Sequence, residues 1–140
     1  MRCCGADISG GDLCLAIVDG DGGSHAYAST SPAKLSLTND EDQMLVRSFQ
    51  EAIMAFVRVN NVELIAIKKR ATKGRFAGGS VSFKIEGLLQ AVPDCRVVLY
   101  APATIAAKQK SNKFKFPLGI FAYQRDAFLT ACCGLVSHGA

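Results

Sequence analysis

A short apolar run at residues 62–67, broken only by Glu63, leads directly into a basic, glycine-bearing loop, and the loop leads into a helix start at Ser80. A continuous apolar run of that length, rather than an alternating one, fits an interior parallel strand covered on both faces. Parallel strands need crossover connections, which are right-handed and usually helical, so the chain is directed to a layered α/β fold. The same stretch sets five cations, Lys68, Lys69, Arg70, Lys73 and Arg75, at the carboxyl end of that strand. Ligands of open α/β sheets bind at that edge. The amides of a helix start, here near Gly78, Gly79 and Ser80, form a cradle for phosphate. The stretch points to an anionic partner.

The flanking sequence supplies the rest of the sheet. Residues 2–8 and 13–18 read as two strands joined by Ser9-Gly10-Gly11-Asp12, which is hairpin chemistry. A third strand is expected within 24–37, with Pro32 implying an edge or a break. Thr38-Asn39-Asp40-Glu41 reads as a capping box opening a helix that runs to about Asn60. Leu45, Phe49, Ala52, Ile53, Phe56 and Val57 form its apolar stripe at the helical period. A second helix is expected over 80–92, a strand over 95–100, a short helix opened by Pro102, and a last helix over 119–137. The order is βββαβαβα: a mixed five-stranded sheet, antiparallel first and parallel later, flanked by helices. With 140 residues and no internal boundary, residues 1–140 are read as one domain.

Charge is unevenly spread. Residues 1–67 carry four basic and nine acidic side chains, and residues 68–140 carry twelve and three. A cationic second half favours a polyanion, because Lys and Arg release counterions from phosphates. A further basic stretch, Lys108, Lys110, Lys113 and Lys115 with Phe114 and Phe116 between, is expected to extend the track. No window nears the roughly 18 apolar residues of a membrane span, and the first residues lack a secretory apolar core. The expected compartment is the cytoplasm. The six cysteines, including the adjacent pairs Cys3-Cys4 and Cys132-Cys133, lack Cys-x-x-Cys spacing and read as free thiols, with Cys3 and Cys4 on opposite faces of a strand.

The element order, Gly5-Ala6-Asp7 on the first strand and Leu64-Ile65-Ala66-Ile67 on the interior strand together resemble the ribonuclease H-like superfamily, in its Holliday-junction resolvase (RuvC) branch. The stretch from Ala71 to Lys84 is similar to an uncharacterised bacterial family of unknown function placed among these folds. The resemblance implies a nuclease in which three or four carboxylates hold two divalent metals, Mg²⁺ or Mn²⁺, that stabilise the attacking and leaving oxygens on phosphorus. Carried over residue by residue, Asp7 matches the first acid and Asp126 is the candidate on the last helix, both as metal ligands. Glu86 is a substitute third catalytic acid. The chain departs from the pattern where the second acid belongs, just after Ile67: it has Lys68, Lys69 and Arg70 there. The carboxylate set is incomplete.

Three readings follow. In the first, the chain binds nucleic acid or another polyanion without cleaving it. Lys68, Lys69, Arg70, Lys73, Arg75, Gly78, Gly79 and Ser80 then hold phosphate, and Phe76 either stacks on a base or anchors the loop. In the second, it is a metal-dependent phosphodiesterase. In the third, it binds a small phosphate or uses the basic face to hold an acidic protein, without a Walker A loop. A homodimer is compatible with all three.

Overall fold

The structure is a computed structural model that describes residues 1–21, 24–71 and 79–138. β1 (Arg2–Ser9) and β2 (Asp12–Gly20) form the expected hairpin, with Ser9 paired to Asp12 across Gly10 and Gly11. Gly10 takes φ +58°, the left-handed region in which a residue without Cβ is unstrained. The third strand is split into β3 (His25–Ala28) and β4 (Lys34–Ser36), both antiparallel to β2, so the sheet has six strands rather than five. Pro32, which brings no N–H to a ladder, lies in the gap between them.

α1 (Gln43–Val59) follows, then β5 (Leu64–Lys68), α2 (Ser80–Gln90), β6 (Arg96–Tyr100), α3 (Pro102–Asn112), a 3-10 turn (Ala122–Gln124) and α4 (Arg125–His138). Strand order across the sheet is β3-β2-β1-β5-β6, with β5 parallel to both β1 and β6. Pairing of β1 with β5 runs from Cys3–Leu64 to Ala6–Ile67.

The two faces are covered by different helices. Cys4, Ala6, Ile8, Ile65 and Ile67 pack under α1 and α2, through Phe49, Ile53, Phe56, Ile85 and Leu89. Cys3, Ala16, Val18, Leu64 and Ala66 pack under α4, through Ala127, Phe128, Ala131, Cys132 and Leu135. Cys3 and Cys4 thus face opposite ways, and all six cysteines are free. Burial pushes the Cys4 and Cys132 thiols up to about 12, which leaves them protonated packing groups.

Three helix boundaries differ from the sequence expectation. α1 is capped by Asp42, whose carboxylate accepts from the Met44 and Leu45 amides, and not by Thr38. The Leu37 amide bonds the Gly11 carbonyl, which holds this segment as an extension of the sheet, and the Asn39 side chain accepts from Glu41 to make the turn that precedes the helix. Val46 rather than Leu45 then faces the core, and Leu45 is exposed. α3 is longer than the short helix expected from Pro102 and includes Lys108 and Lys110 of the basic stretch. α4 starts at Arg125, because Gly119 at φ +82° and an extended Phe121 turn the chain just before it. Among the described residues, no helix is long and apolar enough to cross a membrane.

Candidate functional site

Strand register decides which side chains meet at the carboxyl edge. Ala6 pairs with Ile67, so the next residues, Asp7 and Lys68, emerge side by side, and alternation turns both to the α4 face. Lys69 points the other way, and its amide donates to the Tyr100 carbonyl at 2.9 Å. Of the two lysines, Lys68 therefore faces the cleft. Asp126 comes to the same place from the first turn of α4. The Lys68 ammonium lies 3.2 Å from Asp126 Oδ2, with Lys68 three-quarters buried and Asp126 half exposed.

Asp7 is the carboxyl most affected by this setting. Burial raises its pKa above the ordinary 3.8; the Lys68 charge pulls it down, Asp126 pushes it up and Arg70 pulls it down. The opposed influences of Lys68 and Asp126 bring Asp7, Lys68 and Asp126 into one electrostatic unit. Cys14 lies across β2 from Asp7, and Lys34 lies across β4 from Cys14. A row runs along this edge as Lys34, Cys14, Asp7 and Lys68.

Glu86 belongs to the other face. It projects from α2, and its Oε2 accepts from the Arg70 amide at 3.4 Å, tying down the chain just past β5. The structure brings together Asp7 and Asp126 and does not bring Glu86 to them. Ser80 opens α2 behind the cap residue Gly79, and no side chain caps this helix. Ser82 Oγ donates to the Gly10 carbonyl at 3.0 Å, which fastens the α2 start to the hairpin turn on the same sheet edge. Lys73, Arg75, Phe76 and Gly78 lie outside the described residues.

The second basic stretch goes elsewhere. Lys113 ends α3 in a left-handed conformation, and the Phe114 ring meets His25 edge-on at 5.3 Å. His25 pairs with Gly20, at the end of the sheet opposite Asp7. Lys113 does not continue the first track, because α3 carries the chain away from the carboxyl edge, whereas Phe116 comes back against α4 under Arg125.

The donor set does not fit the two-metal centre that the fold resemblance implies. Hard divalent cations need several oxygen ligands, and among the described residues no three His, Cys, Asp or Glu side chains are grouped to hold a metal ion. Two carboxylates stand here with an ammonium already bonded to one of them. What the site can do is present cations and helix-start amides to an anion while keeping its own acids partly neutralised.

One group of residues was not singled out by sequence reasoning. Phe121 and Tyr123, on the turn before α4, are exposed, and Lys34 lies over the Tyr123 ring. Phe121 reads as part of a buried stripe when the helix is started at 119, and the nearby Pro117 and Gly119 were the signal that it starts later.

Comparison with known proteins agrees on the architecture. The Thermus thermophilus RuvC structure has a TM-score of 0.70 at 13% identity, covering 95% of this chain and 92% of that one. The same organism's RuvC in complex with Holliday junction substrate has a TM-score of 0.68 at 12% identity, with coverage of 95% and 91%. Fowlpox virus resolvase with substrate Holliday junction DNA has a TM-score of 0.53 at 14% identity, with coverage of 99% and 94%. Identities this low establish a shared fold, the ribonuclease H-like fold. Among curated proteins, no sequence matches. The model of the family described as "Protein of unknown function (DUF3010)" matches residues 1–134, and the chain belongs to that family.

Proposed function

We propose that this protein binds nucleic acid through the carboxyl edge of its sheet and does not cleave it. The observation that carries the reading is the Lys68–Asp126 ion pair beside Asp7. A fixed ammonium repels a divalent ion and attracts a phosphate, and it holds a position where metal-dependent phosphoryl transfer needs an acid. Lys69 and Arg70 follow at the same strand end, with the uncapped start of α2 nearby. Two solved structures of similar fold are complexes with Holliday junction DNA, which makes branched DNA the first ligand to try.

The test is fluorescence anisotropy with a four-way junction, a single strand and a duplex over a salt series, alongside a cleavage assay with Mg²⁺ and Mn²⁺. The expected result is binding whose log affinity falls linearly with log salt, with the strands left intact. Absence of binding at low salt overturns the proposal. A second reading, a metal-dependent phosphodiesterase, draws on the convergence of Asp7 and Asp126. Cleavage with Mn²⁺ that Asp7→Asn abolishes would establish it in place of the first.

A further inference from the structure

We infer that the turn preceding α4 is a stacking site for an unpaired nucleobase, set beside Asp7 on the same sheet edge; this deepens the nucleic-acid reading and rests on it. Phe121 is 57% exposed and Tyr123 39% exposed. Their rings are parallel within 5°, with centroids 5.2 Å apart. Lys34 Nζ lies 4.3 Å from the Tyr123 centroid, and one turn along, the Arg125 guanidinium lies 5.2 Å from the ring of Phe116.

Phe121 is the more exposed ring of the stacked pair, and an exposed aromatic surface gains from a partner that covers it. These rings are also held rigidly. Gln124, 1% exposed, donates from Nε2 to the Leu15 carbonyl at 2.9 Å and accepts from the Phe121 amide at 3.2 Å. The rings are thus presented on a turn fastened to β2, so a ligand that stacks on them meets a surface already in place.

The neighbouring charges select the occupant. An apolar protein partner gains nothing from cations over the rings, whereas a nucleotide offers a π face to Phe121 and a phosphate to Lys34 or Arg125. Position agrees with this. Lys34 is three strands from Lys68 along the row through Cys14 and Asp7, about 14 Å at the usual strand spacing. A single strand of nucleic acid covers that span in a few nucleotides, with a phosphate at Lys68 and a base further along the strand on Phe121.

The experiment compares wild type with Phe121→Ala/Tyr123→Ala, and with Tyr123→Phe, on single-stranded, junction and fully paired DNA. The double variant should lose roughly tenfold in affinity for single strands and open junctions. Its affinity for duplex should change less than twofold, its salt slope and melting temperature should be unchanged, and Tyr123→Phe should bind like wild type. In wild type, a 2-aminopurine in the strand should change fluorescence on binding as it stacks. Equal loss on duplex, no loss on any DNA, or an unmoved 2-aminopurine signal overturns the inference while leaving the nucleic-acid reading standing. So does a double variant that changes its oligomeric mass but keeps its DNA affinity, which assigns the patch to a second copy of the chain. If wild type binds no DNA, the parent reading fails and takes this one with it.

Discussion

Gly5 and Ala127 are in backbone contact. A Cβ on Gly5 would stand 1.8 Å from the Ala127 carbonyl oxygen and 2.7 Å from the Ala131 amide nitrogen. α4 therefore lies directly on β1, closer than any side chain on the strand would permit. The contact is two residues from Asp7 on the strand and next to Asp126 on the helix, so it sets how near those two acids come.

Gly5→Ala should accordingly destabilise the fold by about 3 kcal/mol or more, because the obstruction is backbone and no rotamer change relieves it. Gly134 gives the contrast: a Cβ there meets side-chain atoms of Cys3, Ala66 and Leu64 at 3.0–3.4 Å, which yield by small shifts. Gly134→Ala should change stability by about 1 kcal/mol or less, because the helix propensity gained by alanine offsets the crowding. Urea unfolding of both variants checks the ranking, and equal losses would mean that α4 can lift from β1 at little cost.

Asp7 yields a pH prediction whose sign is fixed by its raised pKa. Between the ordinary 3.8 and the higher folded value, the native state binds more protons than the unfolded one, so stability falls as pH rises through that window. Above the window the penalty is fully present, and below 3.8 it is gone. Asp7→Asn should therefore be more stable than wild type at pH 7, with the gap closing in acid. Chemical unfolding of both proteins at several pH values measures the difference. A wild type that gains on the variant as pH rises would show that the Lys68 attraction outweighs burial.

How much of this was readable beforehand depends on what sets each feature. The hairpin, the interior strand and the α/β order were legible, because Gly10-Gly11 and the apolar run at 62–67 act locally. The site was legible in composition: Asp7, Asp126 and Lys68 were all named. Which lysine enters the cleft was not, since that depends on the pairing of Ala6 with Ile67. The aromatic turn was missed for a related reason. Phe121 fits a helical period with Phe128, and that period hides the break made by Gly119 at φ +82° and the extended Phe121. The edge strand was seen but not its division into β3 and β4.

Lys68 is the residue that separates this site from a metal centre, so changing it should alter ion binding. Lys68→Glu places a third carboxylate beside Asp7 and Asp126 and removes the competing ammonium. Mn²⁺ should then raise the melting temperature of the variant and leave wild type unmoved, since a ligand bound to the native state alone stabilises it by mass action. At 100 times the dissociation constant the gain is about 2.7 kcal/mol. Thermal melts with and without Mn²⁺, together with calorimetric titration, decide it. Wild-type binding of Mn²⁺ that depends on Asp7 would contradict the view that Lys68 supplies the local cation.

Gln124 should matter more for stability than a single polar side chain usually does. It is buried, and besides its bonds to Leu15 and Phe121 its Oε1 lies 3.4 Å from the Tyr27 hydroxyl. Gln124→Met keeps the volume but leaves the Leu15 carbonyl and the Phe121 amide without partners, at about 1–3 kcal/mol for each buried group. The expected loss is about 3 kcal/mol by urea unfolding. The variant should also release the turn, so a 2-aminopurine strand should lose its stacking signal even though Phe121 and Tyr123 are both present. A destabilised variant that keeps the full signal would mean that the rings are positioned by their mutual stacking and Lys34, with no contribution from the Gln124 anchor.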